Sequence, residues 1–281
     1  MAQLLKGAPA AAALTEALVQ RSEALQSKGV TPTLAILRVG ERPDDLSYET
    51  GAVKRCEKAK IAVRRFPLPA NCTRETLLTT IQQINADPTI HGCLMLRPLP
   101  DPEAEWSACQ LLDPKKDVDG ITPSALGAVF TGRGSGYPPC TAQACIELLD
   151  FYNIPIEGKR AVVIGRSLVI GRPVSMLLQH RNATVTMCHT RTKDLPAICR
   201  QADILIAAAG QPQMVTANFT TPTQTVLDVG IHVDETGKLC GDTNFTTLSP
   251  ISAALTPVPG GIGAVTTAVL AKHVIQAAEK M

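Results

Sequence analysis

Aromatic side chains are scarce in this chain: Phe, Trp and Tyr make up 3% of its 281 residues, with a single tryptophan. That leaves few platforms for stacking bases, and a formal net charge of +2 gives no basic footprint for a phosphate backbone. Nucleic acid is therefore excluded as the main partner, and a small molecule is expected. No apolar run reaches the ~18 to 20 residues of a membrane span. The alanine-rich start, Met1 to Val30, is broken by Glu16, Gln20, Arg21 and Glu23 before a signal-peptide core forms. A cytoplasmic protein without membrane contact is expected. The nine cysteines include no C-x-x-C pair and no His/Cys cluster at zinc-ligand spacing, so no metal is expected. Their odd number and apolar surroundings fit reduced, buried thiols. Internal repeats, low-complexity linkers and long charge runs are also missing.

What is present is an α/β rhythm. A chain of 281 residues has room for two domains, because single cores stop growing near ~250 to 300 residues. The first 30 residues read as an amphipathic helix, with Leu14, Leu18 and Leu25 at helical spacing. Thr33 to Gly40 follows as a buried strand, Ser47 to Lys60 and Thr73 to Ala86 as helices, and Ile90 to Leu96 as another strand. This alternation implies a parallel sheet. Thr141 is expected to cap a helix over Ala142 to Tyr152. Beyond it, strands at Ala161 to Ile164, Thr184 to Met187, Ile204 to Ala208 and Thr225 to Val229 alternate with helices, as in a doubly wound nucleotide-binding domain. The expected fold is two α/β domains, the second Rossmann-like, with a cleft between them. Their expected bounds are residues 1–140 and 141–265, with a last helix over 266–281 packing back on the first.

Three segments carry chemistry. Val162 to Pro173 passes from strand to helix through Gly165-Arg166-Ser167 and Gly171, where free N–H groups and the helix dipole favour a phosphate. At the end of the next strand an NAD site usually places an acid, but this chain reads Cys188-His189-Thr190-Arg191. Arg166 and Arg191 suit the 2′-phosphate of NADP, which is preferred over NAD. Ala209-Gly210-Gln211-Pro212 and Asp228-Val229-Gly230-Ile231 follow later strands and are expected to border ribose and nicotinamide. The third segment, Thr256-Pro257-Val258-Pro259-Gly260-Gly261-Ile262-Gly263, is rigid at one end and permissive at the other, as suits a wall beside a ligand.

Together with Lys116-Asp117-Val118-Asp119-Gly120, these segments resemble the bifunctional methylenetetrahydrofolate dehydrogenase/cyclohydrolase family over almost the whole chain. The resemblance implies NADP-dependent (NAD being the alternative) oxidation of 5,10-methylenetetrahydrofolate, a folate substrate and a homodimer. It makes Tyr48 and Asp119 the catalytic and substrate-binding pair, with Asp119 reading the pterin. It further assigns Pro259, Gly260 and Gly261 to substrate, and Gly165, Arg166, Ser167, Gly171, Thr190, Arg191, Gly210 and Ile231 to the cofactor. The family also uses a lysine one helical turn after the tyrosine and a glutamine for its cyclohydrolase step. Counted from Val39-Gly40 or back from Cys56-Glu57, the lysine position is Ala52. Lys54 lies about 200° around the helix. The glutamine position in Met95-Leu96-Arg97-Pro98-Leu99-Pro100 is Leu96, and Asp45, Ala264 and Val265 depart from the pattern too. Dehydrogenase activity with weak or absent cyclohydrolase activity is therefore expected. The alternatives are a noncatalytic nucleotide- or folate-binding paralogue, or an oxidoreductase acting on another cyclic amine.

Overall fold

The computed structural model describes residues 1–134 and 136–280. In chain order the elements are β1 (Gln3–Leu4), α1 (Gly7–Gln26), β2 (Thr33–Val39), α2 (Pro43–Lys58), β3 (Ala62–Leu68), α3 (Arg74–Ala86), β4 (Gly92–Met95), α4 (Pro102–Leu111), α5 (Pro123–Thr131) and α6 (Cys140–Phe151). They continue with β5 (Arg160–Ile164), α7 (Gly171–His180), β6 (Thr184–Cys188), α8 (Leu195–Cys199), β7 (Ile204–Ala207), β8 (Thr225–Asp228), β9 (His232–Val233), β10 (Leu239–Cys240), α9 (Phe245–Leu248), β11 (Ala254–Leu255) and α10 (Ile262–Ala278). The chain divides into two compact units. One comprises Ala12–Cys140 and Thr267–Met281, the other Met1–Ala11 and Thr141–Thr266.

In the first unit, β2 is the middle of a three-stranded parallel sheet ordered β3-β2-β4. A parallel strand covered on both faces needs a continuous apolar run, and all seven β2 residues are buried. Strand β3 forms the edge; its charges and Pro67 blunt that edge, which also hides the strand from a sequence pattern. The core gathers Leu37 and Val39 of β2, Leu77, Ile81 and Ile84 of α3, Met95 of β4 and Ala108 of α4. Helix α2 begins earlier than its apolar spacing suggests, because Pro43 suits the first turn and Asp44 and Asp45 favour the positive helix start. Its buried face is Asp45, Glu49, Ala52 and Cys56.

The second unit holds a six-stranded sheet ordered β1-β11-β8-β7-β5-β6, every pair parallel. Strand β5 has the next strand, β6, on one side and β7 on the other, so the topology reverses at β5. Ligands of open α/β sheets bind where strand order reverses, beyond the carboxyl ends. Val162, Ile164, Leu205, Ala207, Val226 and Leu255 form the core beneath.

Two expectations need correction. The first eleven residues cluster with the six-stranded unit, because Gln3 and Leu4 pair with Ala254 and Leu255. Thr141 lies inside the first turn of α6, which starts at Cys140 directly after Pro138-Pro139. The nine cysteines are unpaired thiols and seven are buried; burial pushes Cys93 and Cys145 up to about 12. Among the described residues, no helix is long and apolar enough to cross a membrane, and no group of three or more His, Cys, Asp or Glu gathers as a metal site.

Candidate active site

The loop after β5 is built on glycines. Gly165 has φ +122°, and a Cβ there would stand 2.1 Å from the carbonyl oxygen of Ala208, just beyond β7. A Cβ on Gly171 would stand 2.2 Å from the carbonyl oxygen of Gly165. The two loops of the reversal point therefore touch through bare backbone. Helix α7 opens there with no side chain capping it; Arg172 donates to the Ser167 carbonyl and Pro173 has no N–H, which leaves the Gly171 N–H at the helix start. The Ser167 hydroxyl accepts the Ile170 N–H at 3.1 Å. Arg166, Thr190 and Arg191 are exposed, and neither arginine makes an ion pair with the described residues. The free helix start, the glycine cradle and two unpaired guanidinium groups fit a dinucleotide and its phosphates.

Pro259, Gly260 and Gly261 line a cavity of about 270 Å³ together with Asp228 to Ile231, Leu239 and Ile262 to Ala264. Two groups that sequence assigned separately, Ile231 to cofactor and Pro259 to Gly261 to substrate, thus share one cavity of the six-stranded unit. Gly260, at φ +102°, has open space where a side chain would start. Asp228 itself does not face that space with its carboxylate. Its oxygens accept the N–H groups of Gly230, Asp242 and Thr243 and the Thr243 hydroxyl. Burial raises its pKa against those hydrogen bonds.

In the other unit, the Lys116 to Gly120 turn separates structural from available charges. The buried Lys116 ammonium donates to the carbonyls of Ile84, Asn85 and Asp87, at the end of α3. Asp117 is fully buried and accepts the N–H groups of Ile121 and Thr122 at 3.0 and 2.7 Å, holding the start of α5. Asp119 is the half-buried acid left over. A Cβ on Gly120 would lie 2.5 Å from the Pro139 nitrogen, and this close approach brings Cys140 beside Asp119. Burial raises the Asp119 carboxyl to about 6, opposed by a hydrogen bond from Cys140 and by the charge of Arg97. Tyr48, on α2, is half-buried near the same group. Its phenol is pushed well above its ordinary value, first by burial and then by the charges of Asp119 and Cys140. The structure therefore brings Tyr48 and Asp119 together and leaves the phenol a neutral hydrogen-bonding group.

The positions where the family pattern has lysine and glutamine are apolar. Ala52 is fully buried, Leu96 is buried, and Lys54 points to solvent. Arg97 is held by Glu105 at 3.3 Å, and Glu105 also accepts the Leu99 N–H at 2.7 Å.

Residues beyond the sequence motifs set this geometry. Glu49, next to Tyr48, takes Arg38 of β2 at 3.0 Å and Arg65 of β3 at 2.9 Å, which pins α2 to the sheet. Arg42 grips Asp45 with two bonds of 2.8 and 2.9 Å. Acids at i and i+4 on a helix that also carries basic residues were the available signal for this clamp, but nothing in the sequence named its partners.

A glycine-tight turn at the topological reversal of a parallel sheet, before an uncapped helix, defines the class: a dinucleotide-binding α/β protein. The first unit adds the half-buried Tyr48 and Asp119, a phenol and a carboxylate suited to a polar ring. Comparison with known proteins narrows this. The family model for the tetrahydrofolate dehydrogenase/cyclohydrolase catalytic domain matches residues 5–119, and that for its NAD(P)-binding domain matches residues 139–281. A bifunctional FolD protein of Carboxydothermus hydrogenoformans is 49% identical over 281 residues, 99% of this chain and 98% of the relative. The solved bifunctional FolD of Campylobacter jejuni superposes with a TM-score of 0.96 at 38% identity, covering 100% of this chain and 99% of that one. The Trypanosoma brucei enzyme, solved with NADP cofactor and an inhibitor, gives 0.93 at 33% identity, covering 99% and 98%. The chain belongs to the tetrahydrofolate dehydrogenase/cyclohydrolase family.

Proposed function

We propose that this protein is an NADP-dependent 5,10-methylenetetrahydrofolate dehydrogenase in which the cyclohydrolase step is slow or lost. The observation that carries the proposal is the fully buried methyl of Ala52, with apolar Leu96, where the family pattern has lysine and glutamine.

The two reactions ask for different things. Bound nicotinamide supplies the hydride acceptor. Removing hydride from a carbon flanked by nitrogens is chiefly a matter of alignment, since the nitrogen lone pairs carry the developing charge. Tyr48 holds the ring and donates no proton, in keeping with its raised pKa. Asp119, ionised at neutral pH, accepts the paired N–H groups of the aminopyrimidine, a bidentate match for a carboxylate. Pro259, Gly260 and Gly261 give a rigid wall, and the loop from Gly165 to Gly171 with Gly210 and Ile231 borders the dinucleotide. Thr190, Arg191 and Arg166 receive the 2′-phosphate, for which the solved NADP complex of the Trypanosoma brucei relative is supporting precedent.

Ring hydrolysis instead needs water attack and proton transfers, where a positioned acid or base is typically worth ~100- to 10,000-fold. Asp119 is engaged with the pterin, Ala52 and Leu96 have nothing to offer, and Arg97 is held by Glu105. The enzyme works in the cytoplasm as a homodimer. The exposed cross-strand pair Val233 and Leu239 gives the nucleotide-binding unit an apolar ribbon suited to a second copy.

The deciding experiment follows NADP reduction with methylenetetrahydrofolate and, separately, hydrolysis of the methenyl compound. Rapid reduction with hydrolysis near the uncatalysed rate is expected. Hydrolysis as fast as reduction overturns the split. Nucleotide binding without turnover on folate overturns the dehydrogenase assignment.

A further inference from the structure

The Asp242 carboxylate lies just beyond β10, is fully buried and is saturated with donors. One oxygen accepts the N–H groups of Ala209 and Gly210 at 2.6 and 3.1 Å. The other accepts the Gln211 N–H at 2.9 Å and lies 2.8 Å from Nε2 of His232. A carboxylate has about four lone-pair positions, and all four are taken here, so none is left for a ligand. Three successive amides converging on one buried charge fix the course of the loop after β7. The same loop abuts the Gly165 turn through Ala208.

Asp242 is fixed in turn. Its own N–H donates to Asp228 at 3.0 Å, and Asp228 spans Gly230 and Thr243 while its N–H donates to the Thr256 hydroxyl at 2.7 Å. No room is left for a different arrangement: a Cβ on Gly230 would lie 2.5 Å from an Asp242 oxygen, and one on Gly241 would lie 2.1 Å from an Asp228 oxygen. The two aspartates thus join the loop after β7, the loop after β8 and the segment after β11 at their cavity end.

We propose that Asp242 is a positioning residue for the dinucleotide, acting through the Ala209–Gln211 amides and His232 to hold the backbone that borders the cofactor. The proposal rests on NADP binding at the Gly165–Gly171 turn. Asp242→Asn keeps the shape but turns an NH₂ group toward backbone donors.

Calorimetric titration with NADP, with no folate present, is the test. Asp242→Asn is expected to weaken NADP at least tenfold, and in turnover to raise the KM for NADP while the KM for methylenetetrahydrofolate stays within about twofold. Thr243→Val separates positioning from general stability, because it cuts a bond to Asp228 and none to the Ala209–Gln211 loop. It is expected to lower the melting temperature with less than a threefold change in NADP affinity. Equal weakening by both variants, or unchanged affinity in Asp242→Asn, overturns the proposal. If Asp242→Asn does not fold, His232→Ala removes one donor at a partly exposed side chain. At least threefold weaker NADP is then expected, and unchanged affinity overturns it. Wild-type protein that binds NADP but oxidises no folate would sink the dehydrogenase assignment and leave this test intact. Wild-type protein that does not bind NADP overturns both.

Discussion

A single carboxyl is expected to set the acid limit of folate binding. Asp119 is raised from 3.8 to about 6 in the fold, chiefly by burial, so its charged form is the disfavoured one. As pH falls through 6 the carboxylate proposed to read the pterin is protonated. The KM for methylenetetrahydrofolate should rise roughly tenfold per unit below that point, while NADP affinity stays flat. The stability effect runs the other way. An acid with a raised folded pKa subtracts stability above about pH 6 and none below the unfolded value of 3.8. Asp119→Asn should therefore raise the melting temperature at pH 8, by an amount corresponding to about 1 kcal/mol once partial exposure is discounted, while costing folate affinity. Binding and thermal scans on one sample read both. A loss of stability at pH 8 would contradict the burial argument. On the nucleotide side, Arg166→Ser and Arg191→Ser should each raise the KM for NADP about tenfold and leave that for NAD nearly unchanged, because only NADP carries the 2′-phosphate proposed to pair with them. Equal losses with both nucleotides would mean the arginines act elsewhere.

Among the elements, helix α2 carries most of what is unusual. Its buried face contains two acids, Asp45 and Glu49, beside Ala52 and Cys56. Glu49 satisfies two arginines of neighbouring strands with little exposure of its own. Removing one partner from a buried ion pair leaves the other uncompensated, so Glu49→Ala should cost about 3 kcal/mol in denaturant unfolding. It should also raise the KM for folate, since Tyr48 is its neighbour in the chain. The elements also show why part of the fold was legible in the sequence and part was not. Strands β2, β5, β7 and β8 are short apolar runs ended by turn signals, and each was found within one or two residues. Strand β3 was invisible because, at the sheet edge, it carries Arg64, Arg65 and Pro67 on an alternating pattern. Two-residue strands such as β1 exist only through their partner. The glycines of the nucleotide loop were readable, because local geometry alone demands them. Asp242 was not, since its donors lie about thirty residues back in the chain and only folding makes them neighbours.

For the whole molecule, the question is whether two chemistries that the family joins have been separated here. The fold superposes on a bifunctional relative with a TM-score of 0.96. On the proposed reading the decisive departures are Ala52 and Leu96, where groups that move protons are expected, with Asp45, Ala264 and Val265 departing as well. An enzyme so altered should reduce NADP and accumulate the methenyl compound in equal amounts, where a bifunctional enzyme shows the methenyl signal lagging behind NADPH. Paired absorbance traces of the two products measure this directly. Reinstating the missing groups tests the cause. Ala52 is fully buried, so Ala52→Lys alone takes an ammonium out of water and should unfold part of α2 or leave the amine neutral. Adding Leu96→Gln supplies a polar partner, and the double variant should hydrolyse the methenyl compound at least ~100-fold faster than the native chain, the usual worth of a positioned acid or base. Each single variant should gain far less than half of that on a logarithmic scale, because a proton relay fails when either member is missing. A folded double variant that reduces NADP normally yet gains no hydrolysis would place the missing chemistry elsewhere in the pocket, with Asp45 the next position to restore.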